Sequence, residues 1–449
     1  MTKPDTVRHS PSEKDRQGSS ISTSLHSWLI LSTLFVFMII NFADKALMGI
    51  AAKPIMNDLG LSPSQYGWVA SSFFFLFSIS SLVVGFLTTK YPSKRILLVM
   101  AIVWTIAQGV IVSPLAGFWT LIVTRIVLGA GEGPAYGMAN HVAMQWFPRT
   151  KSGIATAVIG VGVPMGTMLA APIVGKLVAG IGWRESFGVL ALASLVWAAV
   201  WFFIGREGPY SHSRRITVAG PVPDVRPVPY GPIIRSRTFL GLLIAGIASY
   251  WNVVLLIAWV PVYLTSTQGY ETATVGWAVA LPWAVQIASN LILVGWLGTA
   301  LMSRGVSSRV ARGVVSGIAV ALSGVAMVAF VAAPSGPTKL ILLAMAFGIG
   351  SCVFSASQSV IGDLVPSRQR GAVLGIYVAV YSLTGVFAPM IAGALVESAD
   401  VVESGYDRIF LLSAALSLTA GLLCAVLVNP ERDRATLNIR HERNSNVID

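Results

Sequence analysis

The sequence predicts an all-α membrane protein: twelve transmembrane helices in two pseudo-symmetric six-helix halves. Three observations carry that reading. The 449-residue chain is 55% hydrophobic and only 11% charged, whereas a soluble domain carries about a quarter charged residues. Twelve apolar segments recur along it, and its basic residues crowd onto alternate connections.

The segments run near 26–52, 64–88, 95–113, 117–143, 151–179, 184–204, 238–267, 272–301, 308–333, 338–361, 369–397 and 406–428. A span in lipid must be a helix or part of a closed barrel, because its backbone has no water to bond to. These lengths fit helices; barrel strands take about ten residues of alternating polarity. Residues 1–25 are polar, Ser-rich and mixed in charge, and read as a disordered cytoplasmic tail. They lack the apolar core and small-residue cleavage site of a signal peptide. An N-terminal six-helix bundle then occupies 26–204 and a C-terminal one 238–428, with a second cytoplasmic tail at 429–449. Between the bundles, 205–237 holds six prolines from Pro209 to Pro232 and reads as an extended linker.

Of the 31 Lys and Arg, 24 lie in the two tails, the linker and the connections on the same side; only Lys53, Lys176, Arg184, Lys339 and Arg408 lie opposite. The positive-inside rule therefore places both termini and the linker in the cytoplasm of a cell whose inner membrane holds the chain. The net charge of +12 thus reports orientation, and no nucleic-acid partner is expected. Cys352 and Cys424 sit in apolar runs and read as packing residues, with no disulfide framework and no metal site. Enzyme signatures are absent: no HExxH, no GxSxG and no Walker A motif, so the chain is not expected to be an enzyme or an ATP-driven pump.

The two halves resemble each other. Phe147-Pro148-Arg149-Thr150-Lys151-Ser152-Gly153 precedes the fifth segment and Val365-Pro366-Ser367-Arg368-Gln369-Arg370-Gly371 the eleventh, 218 residues later; Gly175 and Gly393 keep the same offset. Two parallel repeats with a substrate at the midplane between them is a transporter plan.

Four charges remain inside the apolar segments: Asp44 and Lys45 in the first, Arg125 and Glu132 in the fourth. An ionisable group at that depth costs several kcal/mol unless it has a partner or faces a wet cavity. Arg125 and Glu132 are seven residues apart, so on one continuous helix they share a side, roughly 10 Å apart along the axis. Asp44 and Lys45 are adjacent and diverge by about 100°, so the two are not expected to face the same neighbour. Buried ion pairs are seldom net stabilisers compared with apolar packing, so two of them in a membrane core point to function. Burial and a neighbouring guanidinium act in opposite senses on a carboxylate's proton affinity, which is the property a proton-coupled carrier needs. Other polar residues in the segments are Gln108, Asn252, Gln286, Asn290, Gln358, Tyr377 and Tyr381, and His141 near the cytoplasmic end of the fourth is a further proton candidate.

By these marks the chain resembles the major facilitator superfamily, and within it the anion:cation symporter family of organic-anion carriers. The resemblance rests on Asp44-Lys45, on Arg125-xxx-Gly129-xx-Glu132-Gly133 and on Trp146-Phe147-Pro148. Gly182-Trp183-Arg184 with Phe187, Arg304-Gly305 and Ala311-Arg312 extend it. It implies proton coupling at Asp44 and Glu132 and anion binding at Lys45 and Arg125. Departures stand beside it. Thr89 and Thr299 replace carboxylates that help latch the outward-facing state in the family. Phe77 and Val163 stand where sugar-acid carriers place Tyr and Gln, and Tyr377 and Tyr381 where Asn is common.

The expectation is a monomeric, proton-driven importer of a small organic anion, needing no cofactor beyond the proton gradient. Its partners are the anion, protons and the lipid bilayer. Substrate contacts fall to Lys45, Arg125, Phe77, Gln358, Tyr377 and Tyr381, and proton coupling to Asp44 and Glu132. A monocarboxylate is expected, aromatic or hydroxy-acid in type in preference to a polyhydroxy sugar acid. The rivals are a proton-antiport exporter of drugs or metabolites with the same fold, and a non-transporting membrane sensor.

Overall fold

A computed structural model describes residues 13–88, 90–147, 152–210, 229–366 and 369–445. Its spans are α1 (Glu13–Ile50, apolar over Leu25–Ile50), α2 (Pro63–Leu87), α3 (Ser93–Ile111), α4 (Phe118–Glu132 continued by Ala135–Trp146), α5 (Ser152–Ile181) and α6 (Trp183–Ile204). The second half holds α7 (Arg237–Ala258), α8 (Thr272–Ser303), α9 (Arg309–Ala332), α10 (Pro337–Leu364), α11 (Arg370–Glu397) and α12 (Val402–Leu427). Eleven of these are each long and apolar enough to cross a bilayer. The twelfth, α4, is interrupted at Gly133-Pro134 and forms two shorter rods. The interruption corrects the single rod expected from the apolar run: Pro134 has no N–H to continue the ladder. Most of the linker, 211–228, lies outside the described residues, as do residues 1–12.

Local chemistry sets the helix ends. Ser62 caps α2 through a reciprocal capping box with Gln65, with Pro63 in the first turn. Gly182, at φ 94°, makes the tight reversal between α5 and α6. Ser236 caps α7, and Asp433 of the terminal helix Pro430–Ser445 accepts from Thr238 N at 2.8 Å. One boundary differs from expectation: α1 begins at Glu13, inside the stretch read as a disordered tail. Glu13, Lys14, Arg16 and Gln17 are good helix formers, so the polar composition does not stop the helix.

Because the helices alternate in direction, both chain ends lie on one face, the terminal face. On the opposite face the two halves close on each other. A Cβ on Gly67 of α2 would lie 2.6 Å from Pro389 O of α11, and one on Gly393 2.5 Å from Pro63 O. The same contact recurs between α5 and α8: Gly276 against Ala171 O at 2.2 Å and Gly175 against Thr272 O at 2.8 Å. These are one motif used twice. Gly175 and Gly393 are 218 residues apart, as are Ala171 and Pro389; Gly67 and Gly276 are 209 apart, as are Pro63 and Thr272. The sequence repeat therefore continues into a second, differently spaced register on the partner helices. Polar contacts complete the closure: Tyr66 Oη donates to Ala258 O (3.4 Å), Lys53 Nζ to Thr265 O (3.0 Å), and Glu397 accepts from Ser62 Oγ and Ser64 N. Nearby, Arg184 pairs with Asp58 and holds that carboxyl below the usual range.

Side chains at the four glycines will hold this face open. With spin labels at the exposed Lys176 and Glu271 positions, Gly276→Val is expected to shift the distance distribution to longer values. Gly180→Val, whose added Cβ meets nothing within 4 Å, is expected to leave it unchanged. Equal distributions for both variants would show that the close approach does not hold the face shut.

Candidate functional site

The four deep charges meet between α1 and α4. Lys45 Nζ bonds Glu132 Oε2 directly. One turn back on α1, Asn41 accepts from the same ammonium through Oδ1 at 2.8 Å and its carbonyl at 3.2 Å. The ring of Phe42 lies 4.7 Å from Nζ and that of Phe73, on α2, 5.2 Å. Asp44 lies beside Arg125, with Oδ1 3.9 Å from Nη2, and the guanidinium sits over the Phe187 ring of α6 at 5.1 Å. So both charges of α1 reach α4, against the expectation that only one would. Their partners are two turns apart along α4, and the long lysine runs along the axis to the farther one while the short aspartate meets the nearer.

Close packing makes this possible. Gly129 and Gly133, one turn apart on α4, face α2: a Cβ on Gly129 would lie 1.8 Å from Phe73 O, and one on Gly133 2.0 Å from Phe77 O. Only glycine admits α2 that closely, and its approach brings the Phe73 ring beside Lys45.

The two pairs differ in completeness. Asp44, Arg125 and Glu132 are each 2% exposed or less. At 3.9 Å and an effective dielectric near 20, the Asp44–Arg125 attraction is about 4 kcal/mol. Burying each ion costs several kcal/mol, so the pair alone does not offset its own desolvation. Both Asp44 oxygens, Arg125 Nε and Nη2 and Glu132 Oε1 are buried without a hydrogen-bond donor or acceptor in ideal reach, and the Asp44 and Glu132 carboxyls lie within hydrogen-bonding distance of each other. One proton held between the two carboxyls would give both a partner.

The remaining sequence candidates fall in different places. Phe77 lies beside Phe73 and Phe74, with centroids 5.5 and 5.9 Å away, and is partly exposed. Gln358 is exposed on α10 and within hydrogen-bonding reach of Tyr136 on α4, across the halves. Tyr381 is partly exposed on α11. Tyr377, one turn away, is 1% exposed and its hydroxyl bonds Ser357 Oγ at 2.9 Å; it backs Tyr381 from inside the C-terminal half. His141 pairs with Gln145 at 3.0 Å, nine residues along α4 from Glu132. Asn252 is spent on Ser417 within the C-terminal half, and Asn290 links α8 to Ser355 of α10. Gln108 is fully buried with both amide atoms unpartnered. Thr89 lies outside the described residues. Sequence reasoning named Phe187 only as a mark of the resemblance and passed over Asn41, Phe73, Tyr250 and Phe354 as site residues. Of these, Asn41 carried a signal, since it precedes Lys45 by one helical turn.

The Major Facilitator Superfamily model matches residues 34–314 and 274–448. Among curated relatives, the hexuronate transporter of Bacillus subtilis is 27% identical, over 89% of this chain and 94% of its own. The probable sulfoacetate transporter of Cupriavidus necator is also 27% identical, over 90% and 94%. Among solved structures, a bacterial homolog of the human lysosomal transporter Spinster, in an inward-facing and unoccupied conformation, superposes with a TM-score of 0.74. It is 17% identical, over 92% of this chain and 98% of that one, a likeness of fold alone.

Removing one member of the tighter pair leaves a buried charge alone. Lys45→Met is expected to cost about 3–5 kcal/mol of stability, and the double variant Lys45→Met/Glu132→Gln to recover most of it. Additive losses in thermal unfolding of the purified variants would show that the two side chains do not interact.

Proposed function

This chain belongs to the Major Facilitator Superfamily, and on that premise we propose that it imports a small organic carboxylate together with protons, by alternating access. It is a multi-pass membrane transporter and not an enzyme, and the curated relatives described above carry organic anions. The observation that carries the finer reading is the pair of cation–carboxylate contacts between α1 and α4, buried and incompletely satisfied.

The cycle follows from charge balance. In the empty site Glu132 holds Lys45 and Asp44 holds Arg125. A proton on Glu132 releases the lysine, which then takes the substrate carboxylate. Positive Lys45 with the anion, and neutral Glu132, leave no uncompensated charge to move past lipid. A second proton at Asp44 would free Arg125 in the same way, a step that stays neutral only where Arg125 too receives a carboxylate, which a guanidinium can grip with two parallel bonds. Reorientation of the halves then exposes the site to the cytoplasm. The proton leaves, Glu132 recovers Lys45, and the carboxylate loses its cation and departs. The basic residues crowded onto the terminal face support a cytoplasmic location for both chain ends in the inner membrane. An exporter of cationic drugs fits less well, because the deep cations Lys45 and Arg125 would repel its cargo.

Glu132→Gln mimics the protonated acid. In proteoliposomes it is expected to retain counterflow exchange of a bound carboxylate while losing accumulation driven by a pH gradient; Asp44→Asn is expected to do the same. Accumulation against the gradient by both variants would remove the two acids from the proton path. Efflux driven by an inward proton gradient would replace import by antiport.

A further inference from the structure

The C-terminal half carries an aromatic cluster that contacts α2 beside the charges. Tyr250 of α7, Phe354 of α10 and Tyr381 of α11 form a cluster with centroids 5.0 Å (Tyr250–Tyr381), 5.3 Å (Phe354–Tyr381) and 6.4 Å (Tyr250–Phe354) apart. All three are partly exposed. The ring system crosses between the halves: Phe74 of α2 meets Tyr250 edge-on at 6.2 Å. It reaches there because α11 has Gly385 opposite, where a Cβ would lie 2.4 Å from the Phe74 ring. Phe74 contacts Phe73 at 5.0 Å, and Phe73 flanks the Lys45 ammonium at 5.2 Å. An unbroken run of rings therefore leads from the ammonium in one half to Tyr381 in the other.

Charge is distributed just as unequally. The deep cations and acids all belong to the N-terminal half, and Lys45 is the more open cation, its side chain 10% exposed against 3% for Arg125. The buried charged residues described in the C-terminal half are Lys339 and Asp433, at the two ends of the bundle. A second carboxylate reaching into the C-terminal half, away from Arg125, would thus meet ring faces, whose quadrupole is negative. A polyhydroxy chain would leave most of its hydroxyls without partners, which recognition sites penalise strongly. Tyr377 has its hydroxyl occupied by Ser357, and Ser355 donates to Asn290; Tyr250, Tyr381 and Gln358 are further polar side chains around the cluster among the described residues.

We propose that the substrate is an aryl monocarboxylate, a single carboxylate on a planar aromatic ring. Lys45 takes the carboxylate, and Tyr250, Phe354 and Tyr381 enclose the ring edge-to-face. This rests on the carboxylate-carrier reading above and narrows it.

The test is direct binding by the purified full-length protein of five probes: benzoate, phenylacetate, cyclohexanecarboxylate, glucuronate and succinate. Benzoate or phenylacetate is expected to bind about tenfold more tightly than cyclohexanecarboxylate, which matches the ring in bulk and lacks its π system. Glucuronate and succinate are expected to be weaker still. Tyr381→Leu is expected to abolish the preference for benzoate over cyclohexanecarboxylate, and Tyr381→Phe to keep it. Tightest binding by glucuronate, succinate or cyclohexanecarboxylate overturns the aryl assignment and leaves the carboxylate carrier standing. Binding of none of the five, by a preparation with a cooperative thermal transition, overturns both.

Discussion

Four ionisable side chains placed deep in the membrane-spanning helices constrain everything near them. An ion at that depth needs a partner within a few ångströms, so α1 and α4 have to present Asp44 and Lys45 to Arg125 and Glu132. That requirement propagates outward. The reach to Glu132 draws Lys45 along the helix axis and leaves Asn41 to steady its ammonium. The glycine pair on α4 then admits α2, and α2 carries the phenylalanines that cover Lys45. The contacts hold the four charges between α1 and α4 with several of their polar atoms short of ideal partners, the condition under which the proposed exchange for a proton or an anion would cost least.

Much of the fold was legible in the chain. Twelve apolar segments, the basic asymmetry and the repeat at 218 residues required only composition and spacing. The four deep charges stood out for the same reason, since away from the segment ends no other Asp, Glu, Lys or Arg interrupts those runs. Their pairing was not legible. A helical wheel gives the direction in which a side chain leaves its helix, not how far it travels along the axis, and the crossing of Lys45 to Glu132 depends on that reach. The break in α4 was missed although Pro134 announced it, because the apolar run continues through it. Tyr377 and Tyr381 looked equivalent at one-turn spacing; depth separates them, and depth is a property of the assembled bundle. Tyr250 and Phe354 carried no signal at all, being aromatic residues in an apolar helix.

The halves, alike in topology, have diverged in chemistry. The N-terminal half holds the four deep charges, with Phe42 and Phe73 beside them, and the C-terminal half holds the cluster of Tyr250, Phe354 and Tyr381. On the proposed reading a substrate bridging them would be read at one end by charge and at the other by shape, and its occupancy would be tied to the relative position of the two bundles.

The closure opposite the chain termini consists largely of main chain against main chain, with glycine on one side of each contact. Dispersion attraction at such short range is steep: a gap of 0.5–1 Å forfeits about a quarter to a half of it. A seam of this kind is brittle. It holds nearly at full strength or lets go, and a partly parted seam has little to restrain it. It is also blind to acidity and ionic strength along its glycine contacts, since they contain no titrating atom. Acidity reaches this closure instead through the ionisable side chains set beside the seams, Lys53, Glu397 and the Asp58–Arg184 pair.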